Sequence, residues 1–221
     1  EQLWIGHFEL WSSSGILLYR NATVLDGGEE EATLSLRAAA ARYAVTLASE
    51  TDFEGWRKAA RALALNHVAP EDVAWTGAGG AAGLFAADDV LPDIPEGATL
   101  LVPRSFADRA ETVFCHSDPD RFGFLYRLLS RLQADGNLLK IASDPDIRRF
   151  EAMEKAVRRD IHKMRAFVRF RQVGDGPDAR FVAGFEPSHY IVERNAPFFV
   201  RRFTGMRWTI LTPHASASWD G

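Results

Sequence analysis

A single cysteine, Cys115, stands in a chain of 221 residues, which excludes an intrachain disulfide and every zinc site built from several thiolates. A lone thiol in an apolar helical stretch reads as a core residue, and its reduced state suits a cytoplasmic setting. No segment reaches the roughly eighteen uninterrupted apolar residues that span a bilayer. Arg37 and Arg42 break the Ala-rich run, and charges recur throughout the remainder. No membrane partner is expected. The start at Glu1 lacks a basic segment followed by an apolar core, so no secretory leader is expected and the Asn21-Ala22-Thr23 sequon is incidental. What the chain does contain is 47% hydrophobic residues, enough to bury a full core over one domain.

The organisation changes near Tyr43. Residues 1–42 hold an aromatic opening (Trp4, Phe8, Trp11), a Ser12-Ser13-Ser14-Gly15 break and a Gly27-Gly28-Glu29-Glu30-Glu31 linker, and they read as an atypical extension, either a strand pair and a short helix or a segment that packs weakly, ahead of a principal domain at 43–221. In that domain AVTLA reads as a buried strand. Thr51-x-x-Glu54 reads as a capping box opening a helix that buries Phe53, Trp56, Ala60 and Leu63. A short strand at Val73 to Trp75, a Gly/Ala loop, and TLLVP as a third strand leading to a helix capped by Ser105 complete the first half.

Asp-Pro-Asp at 118–120 and again at 144–146 announces two helices, since carboxylates cap and proline presets the first turn. In the second, Ile147, Phe150, Met153, Val157, Ile161, Met164 and Val168 recur at spacings of three and four, which predicts a helix from Asp146 to Met164. Beyond it the period falls to two, and a Gly174-Asp175-Gly176-Pro177-Asp178 turn leads to RFVAGF, a hairpin over Arg165 to Phe185. Ser188 is expected to open a helix that Pro197 kinks or divides, and MRWTILT to close as a strand. The expected fold is α/β, a single mixed sheet with helices packed on it and a β-hairpin in the C-terminal half.

The charge is distributed unevenly. Residues 148–207 carry fourteen bases, all but two of them arginine, against seven acids, a net +7 inside a chain of net −4. The remainder is therefore strongly acidic, and such asymmetry suits one face to a polyanion. Arginine both forks onto phosphate and stacks on bases, and aromatic residues lie between these positions. The expected nucleic-acid contacts are Arg158, Arg159, His162, Lys163, Arg165, Arg169, Arg171, Arg201, Arg202 and Arg207, with Phe167 and Trp208 as stacking groups. The competing reading makes the same arginines a solvated surface over two amphipathic helices and a hairpin.

Catalytic constellations are thinner. Gly77-x-Gly79-Gly80-x-x-Gly83 follows a strand, but no Walker lysine accompanies it and no helix clearly opens at its last glycine, so it reads as a surface loop and no cofactor is expected. His116 beside Cys115 is no dyad, because helical neighbours point about 100° apart. Glu186, His189 and Glu193 would share a helical face if the helix began early, but capping and surface pairing are the commoner use, and no metal is expected. His162 lies among bases that favour a neutral imidazole able to touch phosphate or move a proton. A pocket organised by His162, Glu186 and His189 is the enzymatic alternative.

The phrases FCHSDPDRFGFLYRLLSRL, AVRRDIHKMRAFVRFR, FEPSHYIVERNAPFFVRRF and MRWTILTP, in this order, resemble a bacterial family of DNA-metabolism proteins. Members of that family are encoded beside a radical SAM protein linked to DNA repair, and many are fused ahead of a UdgX-type uracil-DNA glycosylase domain. The resemblance runs from about Tyr43 to the end and implies a role in DNA repair or processing, with DNA, the radical SAM protein or a fused glycosylase as partners. It supplies no catalytic residues. Residues 1–42 have no counterpart in it, and family members continue past Gly221, so the domain is expected to be truncated there. The chain lacks a GEAPG-type or HPS-type glycosylase motif, and it is not expected to excise uracil by itself. Docking of the radical SAM protein through the aromatic block, with arginine at the rim, is a third reading.

Overall fold

The computed structural model describes residues 10–11, 17–18, 43–77, 90–176 and 179–221. The chain divides into two units, 1–38 and 39–221. In the first, β1 (Leu10–Trp11) pairs antiparallel with β2 (Leu17–Leu18). The rest of the expected extension, and Gly79, Gly80 and Gly83 of the glycine loop, lie outside the described residues.

The second unit opens as the sequence predicts, with a β-α-β step. β3 (Tyr43–Thr46) and β4 (Val73–Thr76) pair in parallel across α1 (Phe53–Leu65). The cap of α1 is Asp52, whose carboxylate accepts the Gly55 N–H at 2.9 Å, while Thr51 turns away and donates to Glu193 at 2.8 Å. A Cβ on Gly55 would meet that carboxylate, so a larger residue there would have to displace the capping side chain. TLLVP is not a strand. No neighbouring strand pairs with it among the described residues, and Leu101 is largely exposed.

Three helices follow: α2 (Arg104–Phe114), α3 (Arg121–Ala134) and α4 (Pro145–Phe167). Ser105 lies inside the first turn of α2 and caps nothing, since Pro103 occupies the cap position. The second Asp-Pro-Asp behaves as expected. Asp144 accepts the N–H groups of Asp146 and Ile147, and Arg131 forks onto Asp144 and Asp146, fastening α3 to the start of α4. The first is shifted: Asp118 accepts the Asp120 N–H at 2.9 Å and α3 begins only at Arg121.

Beyond α4 lie β5 (Arg171–Val173), β6 (Arg180–Gly184), α5 (Val192–Arg202), β7 (Trp208–Leu211) and β8 (Ser216–Trp219). β5 and β6 form the expected hairpin, although α4 runs three residues past Met164 before the period changes. β6 pairs in parallel with β7 across α5, and β8 adds antiparallel to β7, giving the order β5-β6-β7-β8. α5 starts at Val192, not at Ser188, and runs through Pro197 without division.

The class is α/β with mixed sheets, as expected, but the strands of this unit occupy a parallel pair and a four-stranded sheet instead of one sheet. Two apolar cores explain the separation. One gathers Trp56, Leu63, Phe106, Phe114, Phe122, Leu125, Ile147 and Phe150 around the β3–β4 pair. The other gathers Val157, Met164, Ala183, Ile191, Phe199, Trp208 and Ile210 between α4, α5 and the larger sheet. Helix α4 belongs to both.

Candidate functional site

The basic face occupies the second half of α4 and the corner that follows. Arg158, Arg159, His162, Lys163, Arg165 and Phe167 are exposed there, as are Arg169 and Arg171 beyond the helix and Arg201, Arg202 and Arg207 at and after the end of α5. Phe170 draws the α4–β5 corner against the end of α5, its ring 5.1 Å from Phe203 and 6.4 Å from Phe199. Among the described residues, no carboxylate lies within ion-pairing distance of Arg159, Lys163, Arg165, Arg169, Arg171, Arg201 or Arg202. Phe167 is 66% exposed in their midst.

Some members of this face also have work inside the fold. Arg158 pairs with Glu154 at 2.7 Å, a carboxylate that Arg109 holds from α2 at the same distance. Arg165 donates to Asn195 Oδ1 at 2.6 Å and lies 4.7 Å over the Phe198 ring, tying α4 to α5. Arg169 donates to the carbonyls of Ala166 and Val168 at 2.7 and 3.0 Å, satisfying acceptors that the end of α4 leaves open. Trp208 departs from expectation altogether. It is 2% exposed and packs in the second core, because β7 alternates and turns Trp208 and Ile210 inward together.

His162, Glu186 and His189 do not form one pocket. The carboxylate of Asp160 accepts the His189 backbone N–H at 3.0 Å, and His162, two residues further along α4, projects about 200° away from Asp160. Glu186 is exposed on the segment after β6, where a shallow cleft is lined by Gly184, Phe185, Leu211, Thr212 and Pro213. Since α5 starts only at Val192, Glu186 and His189 share no helical face. Among the described residues no group of three or more His, Cys, Asp or Glu side chains is placed to hold a metal ion.

His189 instead meets His116, their ring centroids 4.3 Å apart. The loop between α2 and α3 supplies most of the surroundings. Its Ser117 offers both N–H and hydroxyl to His189 Nδ1, at 3.2 and 3.1 Å, and its Asp118 N–H donates to His116 Nδ1 at 3.0 Å. Asp118 also pairs with Arg149 of α4 at 2.8 Å, and Tyr190 N–H donates to the Cys115 carbonyl at 2.8 Å. Beneath lies Arg121, 1% exposed, donating to the carbonyls of Phe114, Asp118 and Glu50 and to the Glu50 carboxylate. Its guanidinium lies 4.0 Å from the Phe122 ring centre and 4.9 Å from that of Tyr190. Sequence reasoning weighs His116 only against Cys115 and misses this centre. The available signal was that His116, Asp160 and His189 each fall within a phrase that carries the family resemblance.

Burial lowers the proton affinity of both imidazoles, for His116 with the help of His189, and for His189 against the charge of Asp160. Burial also pushes the Cys115 thiol up to about 11, which leaves it unreactive at neutral pH. The two lowered histidines set a pH window. In the unfolded chain each takes up its proton near the ordinary value of 6.5, and in the fold only at lower pH. The stability they contribute is therefore complete above that value and is lost as pH falls through the folded values. Urea midpoints measured from pH 7.5 to pH 5 are expected to fall, and a His116→Gln His189→Gln chain that still folds is expected to show a flatter profile. A wild-type midpoint constant over this range would contradict the buried neutral pair.

Residues 119–219, from the α2–α3 loop to β8 and just under half of the chain, match the family model of a domain of unknown function, DUF4130. No curated protein and no solved structure matches the chain. Among the described residues, no helix is long and apolar enough to cross a membrane.

Proposed function

We propose that the chain binds DNA through the exposed second half of α4, the α4–β5 corner and the end of α5. The observation that supports this reading is the group of exposed cations Arg159, Lys163, Arg165, Arg169, Arg171, Arg201 and Arg202, which no carboxylate pairs among the described residues, set around an exposed Phe167. A surface arginine kept only for solubility is readily neutralised by neighbouring acids, as Arg57 is by Glu54 and Arg104 by Asp108 elsewhere on this chain. Among the described residues Arg158 alone of the α4 cations on this face is held by a carboxylate, and the other guanidiniums remain available to phosphate. The family resemblance extends the reading to an accessory role in DNA repair, beside a radical SAM protein or a UdgX-type glycosylase, in the cytoplasm.

Arg159 and Arg171 are the residues to test, since neither side chain carries a hydrogen bond or ion pair among the described residues. Each phosphate contact releases roughly one counterion, so the Arg159→Ala Arg171→Ala chain is expected to flatten the slope of log K against log salt on duplex DNA by about 1.5 to 2 units. Fluorescence anisotropy across a salt series measures it, with circular dichroism as the folding control. A folded double variant that binds with the wild-type slope assigns this face to a protein partner or to solvent.

A further inference from the structure

Ser117 is exposed, yet its hydroxyl is engaged with a ring that is almost completely enclosed, His189 at 9% exposure. Its Oγ lies 3.1 Å from His189 Nδ1, and its backbone N–H donates to the same nitrogen at 3.2 Å. The backbone donor fixes the tautomer. A ring nitrogen that accepts an N–H carries no proton, so Nδ1 is the basic atom and the ring proton sits on Nε2. The lone pair shared with the Ser117 hydroxyl is then the one that would take its proton.

The ring is held on several sides. The His189 backbone is anchored to the buried Asp160 carboxylate at 3.0 Å, and His116, itself fixed by the Asp118 N–H, lies against the imidazole. The only side-chain polar atoms enclosed without a partner among the described residues are the indole nitrogens of Trp75 and Trp208. The unpartnered Nε2 of His189 is thus not sealed in. A nucleophile within reach of a neutral base, with the base oriented by further groups, is the arrangement that activates a hydroxyl.

We propose that Ser117 and His189 form a nucleophile and general-base pair acting on carboxylic esters, at a site separate from the basic face. As Oγ bonds to the ester carbon, its proton passes to His189 Nδ1. The alkoxide then departs with the carbonyl carbon's bonding pair and takes that proton, leaving an acyl-serine. Water attacks the acyl carbon, gives one proton to Nδ1, and releases the acid as Oγ recovers it. Asp160 stabilises the transient imidazolium through its charge.

A fluorophosphonate traps such a serine directly: Oγ bonds to phosphorus, fluoride leaves, and the proton goes to His189. Incubating the 221-residue chain with this reagent at pH 8 and mapping the product by mass spectrometry is expected to show one adduct, on Ser117. Ser117→Ala should abolish it and His189→Gln should slow it by about a hundredfold or more. No adduct on Ser117 of the folded chain, or an equal rate in folded His189→Gln, overturns the proposal. Should His189→Gln fail to fold, the wild-type labelling rate decides. It is expected to fall with acid as His189 is protonated, at a pH below the ordinary 6.5 because burial lowers the ring's proton affinity against the charge of Asp160, with His116, Asp118, Arg121 and Arg149 also nearby. A rate that never falls with acid while the protein stays folded refutes the base. Ser117-dependent turnover of p-nitrophenyl acetate supports the ester assignment, and turnover of bis-p-nitrophenyl phosphate alone overturns it.

Discussion

Trp208→Ala is expected to destabilise the fold by about 3 to 5 kcal/mol, the cost of emptying a large aromatic site in a packed core. The indole lies 6.0 Å from Phe170 and 6.2 Å from Phe199, so it is the piece that joins β7 to the α4–β5 corner and to α5. Its Nε1–H is enclosed without a partner, and leaving such a donor unsatisfied costs about 1 to 3 kcal/mol. Trp208→Phe removes that orphan along with part of the ring, and its loss should be clearly smaller than that of the alanine variant. Urea titrations followed by circular dichroism measure both. An alanine variant as stable as the wild type but weaker on single-stranded DNA would restore the ring to the binding surface.

Arg121→Met is expected to cost about 3 to 5 kcal/mol, because several acceptors lose a buried donor at about 1 to 3 kcal/mol each while the half-exposed Glu50 carboxylate loses its partner. The loss is spread over several acceptors. Three carbonyls, from Phe114, Asp118 and Glu50, lose their donor, and the Glu50 carboxylate loses its counterion. Arg121→Lys should rescue little, since an ammonium cannot reach acceptors arranged for a planar fork. Equilibrium unfolding by urea is the measurement, and a methionine variant within 1 kcal/mol of wild type would show that the guanidinium network contributes nothing net. The same network accounts for Gly77. A Cβ there would lie 2.1 Å from the Glu50 carboxylate that Arg121 holds, so Gly77→Ala would have to displace it.

The elements legible in the sequence are those whose buried stripe is long. α4 shows its period over six apolar positions from Ile147 to Met164, and the fall to period two past Met164 marks the hairpin. Short elements are harder. β8 is Ser-Ala-Ser-Trp, with too little apolar alternation to announce itself, whereas the apolar TLLVP segment looks like a strand but finds no partner. The basic face follows from composition, yet composition cannot tell which guanidiniums are spent within the fold. Arg169 closing the end of α4 becomes visible only once the helix end is placed, and Arg165 bonded to Asn195 only once α5 is. The His116–His189 centre is non-local by nature, as Ser117 reaches a residue 72 positions away. Local pattern alone gives no warning of it. Trp208 was readable: strict alternation through Trp208, Thr209 and Ile210 puts the tryptophan on the side of the isoleucine, and that side is the core.

Because α4 contributes Ile147 and Phe150 to one core and Val157 and Met164 to the other, neither core can melt while the helix stays fully docked. At about 1.5 Å per residue its 23 residues form a rod of roughly 34 Å, and residues 39–221 are expected to unfold as one cooperative unit where their two cores suggest two. In amide hydrogen exchange the middle of this rod, near Met153 and Val157, would exchange only by global opening. The edge strands β5 and β8 would open by local fluctuation, so the slowest-exchanging amides would trace the helix that carries the basic face.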